Sequence, residues 1–245
     1  MVLGDTCTRH CRFCKVLTGN PKGVVDADEP TKLLEAISAM ELTYVVLTMV
    51  DRDDIPDGGA THIARCIETL KSGLPTLKVE MLTGDFQGDT DSIKRVLDSG
   101  VDVYAHNIET TRPLTDSVRD RKCGYDQTLR VLQAAHNYSR ETLTKSSIML
   151  GLGEAAADVD ETLRDLREAH VSVVTLGQYL RPSMKYLPVN DYVTPEVFEK
   201  WQQRAEELGF LFCASGPLVR SSYRAGELFL ENYLRGQDAP SGAAQ

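Results

Sequence analysis

Three cysteines lie within eight residues near the start of the chain, Cys7, Cys11 and Cys14, in a C-x3-C-x2-C spacing. Three thiols this close together are typical of metal or cluster ligands. A structural zinc site requires four protein ligands, and only His10 is near enough to be the fourth. A [4Fe–4S] cluster held by three thiolates instead leaves one iron open to a substrate or cofactor. The spacing therefore favours a cluster that does chemistry.

The other three cysteines, Cys66, Cys123 and Cys213, are scattered along the chain. Cys66 falls within a helical pattern and is interpreted, like Cys213, as a small buried hydrophobic residue. A chain this long and rich in apolar residues does not need a disulfide framework, so we expect reduced thiols. We interpret all three as bystanders to the triplet.

Composition excludes several classes of protein. The chain of 245 residues is 42% hydrophobic, which excludes disorder of the whole chain, and its net charge of −9 without a basic block argues against a nucleic-acid partner. The apolar runs are shorter than the roughly 20 residues of a membrane span. Asp5 interrupts the apolar start, so the sequence contains no readable targeting segment.

Short β-branched runs alternate with amphipathic stretches along the chain. The predicted strands are residues 2–3, 44–48, 77–81, 101–105, 143–150, 171–176 and 209–213. The predicted helices are residues 30–40, 59–71, 89–97, 126–138, 159–169 and 195–208, with Asp158 and Thr194 as helix caps. This order predicts an α/β fold, a partial (β/α)6 TIM-type barrel over residues 1–235, followed by a flexible tail at 236–245. Ligands should gather at the carboxyl ends of the strands.

An aromatic residue, Phe13, completes the motif C-x3-C-x-aromatic-C after the first predicted strand. This arrangement resembles the radical S-adenosylmethionine (SAM) superfamily. The resemblance implies that Cys7, Cys11 and Cys14 hold a [4Fe–4S] cluster whose open iron chelates the amino and carboxyl groups of SAM. One electron from the cluster then cleaves SAM to methionine and a 5′-deoxyadenosyl radical. Such a site must position its substrate and exclude water.

Longer stretches resemble the lipoyl synthase family. They are residues 4–9, 50–54, 56–59, 106–110, 151–154, 175–180 and 214–223. The resemblance implies sulfur insertion at carbons 6 and 8 of an octanoyl chain on a lysine of a lipoyl carrier domain. The implied partners are the glycine-cleavage H protein, the acyltransferase subunits of 2-oxo acid dehydrogenases, and ferredoxin or flavodoxin as electron donor. Residues 101–107 and 144–151 look most like eukaryotic members, which implies mitochondria; otherwise the location is cytoplasmic.

Several residues are candidates for contacts with SAM. Asn107 and Glu109 follow a predicted strand and point to one side, so that Glu109 can accept hydrogen bonds from a ribose; a surface carboxylate is the alternative. Gly151 and Gly153 end the fifth strand in an adenine-binding turn or an ordinary strand exit. Two cations, Arg119 and Lys145, are candidate contacts for the carboxylate of SAM, although exposure is the default for both. The charged loop 51–54 either faces the barrel mouth or is a solvated turn.

Ser222 precedes Tyr223 in a polar run that packing does not explain. In the family the corresponding serine ligates an auxiliary [4Fe–4S] cluster, the sulfur source; an N-cap for a following helix is the alternative. The family's other auxiliary ligands, in a C-x4-C-x5-C motif, do not occur in this sequence. We expect an incomplete copy of a longer enzyme, rather than a natural variant, that binds one cluster and cleaves SAM without completing lipoyl formation.

Two other functions stay open at this point. A different radical SAM enzyme, transferring a methyl group or sulfur to another substrate, would keep the cysteine triplet. A non-enzymatic zinc-binding module would hold zinc and lack the brown colour of an iron–sulfur cluster. An assay with an octanoylated carrier peptide distinguishes the first, and metal analysis the second.

Overall fold

The computed structural model describes residues 1–222, and its main feature is a parallel sheet of six strands. Two residue pairs near the start of the chain form a separate small parallel sheet, β1 (Thr6–Cys7) and β2 (Leu17–Thr18). The six strands that follow are β3 (Tyr44–Thr48), β4 (Lys78–Leu82), β5 (Val103–Ala105), β6 (Leu143–Leu150), β7 (Val173–Gln178) and β8 (Phe212–Gly216). Each pairs with the next in sequence, and β3 and β8 form the two edges within the described residues. The predicted α/β fold, a partial barrel with six parallel strands, is confirmed.

Helices connect the successive strands. They are α1 (Glu29–Ala39), α2 (Ala60–Gly73), α3 (Thr90–Leu97), α4 (Thr115–Val118), α5 (Tyr125–Tyr138), α6 (Ala156–Glu168) and α7 (Pro195–Glu207). Thr194 is the N-cap residue of α7, as predicted. The predicted start of α6 is wrong, because the Asp158 carboxylate lies inside the first turn and accepts a hydrogen bond from Ala155 N at 3.3 Å. No helix within residues 1–222 is long and apolar enough to cross a membrane.

The predicted strand at residues 2–3 is reduced to one isolated bridge. Val2 pairs in parallel with Met49, and its N–H donates to the carbonyl of Thr48 at 2.7 Å. Leu3 and Gly4 then adopt positive φ angles of 67° and 90°, which end the extended conformation. The cysteine segment therefore starts directly beside the carboxyl end of β3.

Apolar residues pack between the sheet and its helices and fill one end of the sheet. One cluster joins α1–α3 to β3 and β4, and a second joins α6 and α7 to β6–β8. A third cluster contains Tyr44, Val103, Leu143 and Val173, each at the start of its strand. It fills the amino-terminal end of the sheet, so the carboxyl ends of the strands are the open end that positions the site.

Candidate active site

A cavity of about 280 Å³ lies where the cysteine segment meets the carboxyl ends of β3, β4 and β5. The predicted site residues that line it are Cys7, Cys11, Phe13, Cys14, Asn107, Glu109 and Arg119. These residues come from positions more than 100 apart in the sequence and meet because parallel strands end at the same edge. The fold therefore brings seven of the residues predicted from the sequence together in one cavity.

The three thiols of the triplet are partly buried, and two of their sulfurs accept backbone hydrogen bonds. Arg9 N–H donates to Cys7 Sγ at 3.4 Å, and Asp120 N–H donates to Cys11 Sγ at 3.3 Å. Hydrogen bonds to the sulfurs are one of the means by which proteins tune iron–sulfur clusters. Burial raises the pKa of Cys7 to about 11 and also raises the pKa of Cys14, so metal binding must displace thiol protons.

The spacing of these sulfurs is wider than a single zinc ion requires. A tetrahedral zinc site with Zn–S bonds of 2.3 Å would hold its sulfurs roughly 3.8 Å apart. Within residues 1–222, the one trio of possible ligand atoms lying within 4.8 Å of one another is Glu29, His62 and Cys66, so the triplet is more open than that. His10 is exposed and its Nδ1 lies 3.0 Å from Thr18 Oγ1. The triplet fits a multi-iron cluster better than a zinc ion.

Arg9 anchors the cysteine segment to the strand ends, a role that the sequence analysis missed. Its buried guanidinium contacts Asp85 Oδ1 at 2.6 Å and Asp53 Oδ1 at 3.0 Å. Thr8 N–H also donates to the carbonyl of Asp51 at 2.9 Å. Burial raises the pKa of Asp85, but the hydrogen bonds from Arg9 outweigh this and lower it to about 2. The loop 51–54 is therefore an anchor for the cysteine segment rather than a solvated turn.

Asn107 and Glu109 meet at the end of β5. Asn107 Nδ2 donates to Glu109 Oε1 at 3.2 Å, and burial raises the pKa of Glu109. The Glu109 backbone is fixed by bonds to Ser147 O at 2.9 Å and from Met149 N at 2.8 Å. Its φ of 69° lies in the left-handed region, which costs about 1–3 kcal/mol for a residue with a side chain. Backbone strain of this kind is concentrated at functional sites. Here the strained residue, Glu109, is part of the cavity wall.

Arg119 is buried beside this pair and keeps one hydrogen-bond donor free. Its Nη1 donates to Thr128 Oγ1 at 2.9 Å and to Ile108 O at 3.3 Å, whereas its Nε has no partner within residues 1–222. An unpaired buried donor costs about 1–3 kcal/mol. Arg119 also lines the cavity, where its positive charge favours a bound carboxylate or another anion.

Three predicted residues lie elsewhere. Lys145 is buried, with its Nζ 2.7 and 2.9 Å from the two carboxylate oxygens of Glu80, and it does not line the cysteine cavity, so the predicted contact with the carboxylate of SAM is wrong. Gly151 and Gly153 line a separate cavity of about 380 Å³, where the Glu154 carboxylate accepts hydrogen bonds from the N–H groups of Gly151 and Leu152. The turn is thus held by this chain's own carboxylate.

Ser222 is exposed and is the last described residue. It is not among the residues that line the cysteine cavity. Tyr223, the helix that Ser222 was predicted to cap, and the tail at 236–245 lie outside the described residues.

A second cavity of about 320 Å³ adjoins the first. The two share Phe13, Leu82, Asn107 and Glu109 as lining residues. The wall of the second cavity also contains residues from the ends of β6 and β7, among them Met149, Gln178, Tyr179 and Leu180, and Arg220 from the segment after β8. Because the two cavities share these residues, the second, mostly apolar cavity lies directly beside the cysteine cavity.

The family model of the Radical SAM superfamily matches residues 1–166, and the chain belongs to this superfamily. The family implies a [4Fe–4S] cluster and SAM as cofactors, and the three-thiol cavity fits them. Among curated proteins, the chain is 53% identical over 245 residues to a mitochondrial lipoyl synthase of Aspergillus fumigatus and 54% identical to that of Aspergillus clavatus. Each match covers 100% of this chain but only 59% of the length of the relative.

Solved structures with a similar fold are distant in sequence. A methylornithine synthase superposes with a TM-score of 0.66 at 13% identity, covering 91% of this chain and 72% of that one. The [FeFe]-hydrogenase maturase HydG gives 0.68 at 15% identity over 85% of this chain and 49% of that one. These similarities show the fold alone.

Proposed function

We propose that this chain contains the radical-generating domain of a lipoyl synthase, which acts on an octanoyl chain attached to a lysine of a lipoyl carrier protein. The observation that carries this proposal is the 53% identity to lipoyl synthases along the entire chain. The similarity includes the cysteine segment and both adjoining cavities. Because the chain spans 59% of those relatives, its own activity is a matter for experiment.

Cys7, Cys11 and Cys14 would hold the cluster, and the cavity beside them would hold SAM. When bound, the cluster and SAM supply a 5′-deoxyadenosyl radical. Glu109 offers a carboxylate to ribose hydroxyls, Asn107 orients that carboxylate, and Arg119 lines the same cavity, where its positive charge favours the carboxylate of SAM. Each of these groups is already fixed by the protein, which lowers the reorganisation that binding requires.

The second cavity would take the substrate chain. Its apolar lining from Leu82, Met149 and Leu180 suits an octanoyl group, and Phe13 lies at the boundary with the cysteine cavity. A radical reacts with almost any C–H bond within reach, so the apolar walls must both orient the chain and exclude water. Arg220, in the same lining, is exposed and places a cation at the surface beside this cavity.

The remaining parts of the proposal rest on the resemblance to the family. They are an auxiliary [4Fe–4S] cluster with Ser222 as one ligand, octanoylated H protein or acyltransferase subunits as partners, and ferredoxin or flavodoxin as electron donor. The relatives are named as mitochondrial proteins, and we propose the same location for this one.

The substrate can be tested without requiring sulfur insertion. The cluster-loaded chain is incubated with SAM, a reductant and a carrier-domain peptide whose lysine bears a perdeuterated octanoyl chain. We expect deuterium in the 5′-deoxyadenosine product, because the radical takes a hydrogen atom from the chain. A peptide with an unmodified lysine is the matched control. Formation of 5′-deoxyadenosine without deuterium would exclude this substrate and favour another radical SAM reaction.

A further inference from the structure

Cys123, interpreted from the sequence as a bystander, lies in the cysteine cavity. Its Sγ is 3.9 Å from the Sγ of Cys11, although 112 residues separate the two in sequence. Both side chains line the cavity. Cys66 and Cys213, by contrast, are buried and do not line this cavity.

Backbone contacts hold the two segments in register around this pair. Arg12 N–H donates to the carbonyl of Val118 at 2.9 Å, and His10 N–H donates to Asp120 Oδ2 at 2.8 Å. Cys123 N–H in turn donates to the carbonyl of Asp120 at 2.8 Å. The distance between the sulfurs is therefore set by docked backbone on both sides.

Each sulfur is also held by a fixed donor. Arg9 Nη1 donates to Cys123 Sγ at 3.3 Å, and Asp120 N–H donates to Cys11 Sγ at 3.3 Å. The sulfurs of a disulfide are about 2.05 Å apart, so the pair must close by roughly 2 Å. Intracellular disulfides are usually transient and redox-sensing.

We propose that Cys11 and Cys123 are a redox-sensitive pair that forms a disulfide when no cluster occupies Cys11. The oxidant is a peroxide small enough to enter the cavity. Each thiol loses one proton and one electron as the S–S bond forms, and the two electrons cleave the peroxide O–O bond to give two waters from hydrogen peroxide.

The disulfide removes one ligand from the triplet and thereby blocks cluster assembly. A dithiol reductant restores both thiols by exchange through a mixed disulfide. A bound cluster keeps Cys11 as an iron-bound thiolate, so the loaded protein is protected. The proposal depends on the proposed function only through Cys11 as a cluster ligand.

The full chain, prepared without cluster and fully reduced, is treated with hydrogen peroxide and then with an alkylating reagent. The chain has six cysteines, and we expect the free thiols to fall from six to four. Peptide mapping without reduction should recover one cross-link, between the peptides that contain Cys11 and Cys123. Dithiothreitol should return all six thiols, and prior loading of the cluster should prevent the loss.

The variants Cys123→Ala and Cys123→Ser should lose this cross-link, whereas Cys213→Ala should keep it. Two substitutions at position 123 guard against a folding defect in either one. A cross-link within the triplet, or equal cross-linking of Cys11 in the position-123 variants, would overturn the proposal. The iron content of the untreated, reconstituted chain tests the cluster site separately.

Discussion

Arg9 and Asp85 form a buried ion pair with two hydrogen bonds, of 2.8 Å from Nη1 and 2.6 Å from Nη2, across 76 residues of sequence. The pair ties the segment that contains the cysteine triplet to the carboxyl end of β4. Two-bond arginine–carboxylate pairs fix orientation as well as distance. The pair therefore fixes the position of the cysteine segment against the end of β4.

Asp85→Asn should destabilise the chain and lower its capacity for iron. The substitution removes the negative charge that pairs with the buried Arg9 guanidinium. Removing one partner of a buried ion pair costs about 3–5 kcal/mol. Urea unfolding of the cluster-free chain measures the loss. Asp91→Asn, which alters an exposed pair with Lys94, is the control and should change stability by less than about 0.5 kcal/mol. Equal effects of the two substitutions would contradict the anchor role.

Lys145→Met alone should lower the free energy of unfolding, whereas Lys145→Met combined with Glu80→Leu should be tolerated. It leaves the Glu80 carboxylate buried without its cation, although the Tyr44 hydroxyl still donates to Glu80 at 2.7 Å. The expected loss is about 3–5 kcal/mol, most of which the double variant Glu80→Leu, Lys145→Met should recover. A double-mutant cycle by urea unfolding measures the coupling. Loss of SAM binding by Lys145→Met in chains that remain folded would restore Lys145 as a ligand contact.

Low pH should lower the folding stability of the chain through protonation of Asp54. The hydrogen bond from Arg52 lowers the pKa of Asp54 to about 2, below its ordinary value of 3.8. Because the folded-state pKa is the lower one, the stabilisation is complete above about pH 4 and is lost as the pH falls toward 2. Asp54→Asn should remove this part of the acid dependence in urea unfolding of the cluster-free chain; an unchanged slope between pH 4 and pH 2 would contradict it.

Glu109→Gln should raise the KM for SAM more than Glu154→Gln does. The Glu109 carboxylate lines the cysteine cavity, whereas that of Glu154 holds the turn at Gly151 in the other cavity. Loss of a hydrogen bond to a charged group costs about 1.5–3 kcal/mol, or roughly 10-fold to 100-fold in KM. Steady-state formation of 5′-deoxyadenosine measures both variants. The opposite order would place the nucleoside at the glycine turn instead.

The sequence predicted the parts of the molecule that depend on local pattern. Alternating apolar periodicity located β3 to β8 and six of the helices to within a few residues, and the spacing of Cys7, Cys11 and Cys14 indicated a cluster. Long-range contacts were not predictable in this way. Arg9 reaches Asp85 and Cys123 only after the strands assemble, so neither its burial nor the place of Cys123 beside Cys11 has a local signal.

Lys145 shows the limit of composition rules. An isolated lysine is expected at the surface, and its burial here depends on Glu80 from a strand two positions away in the sheet. Alternation along β6 gives the side on which Lys145 lies but not the identity of its partner. To predict a charged pair across the interior of a partial barrel, the order of the strands in the sheet must be known, and a single sequence does not specify that order.

The most direct test of the radical SAM assignment is to reconstitute the full chain anaerobically and quantify iron and 5′-deoxyadenosine together. The account predicts about four irons per chain, the content of one [4Fe–4S] cluster, and reductant-dependent 5′-deoxyadenosine formation from SAM. Cys14→Ala should lose both, and Cys213→Ala should keep both. A chain that binds zinc in place of iron, or that holds four irons and forms no 5′-deoxyadenosine, would contradict the account.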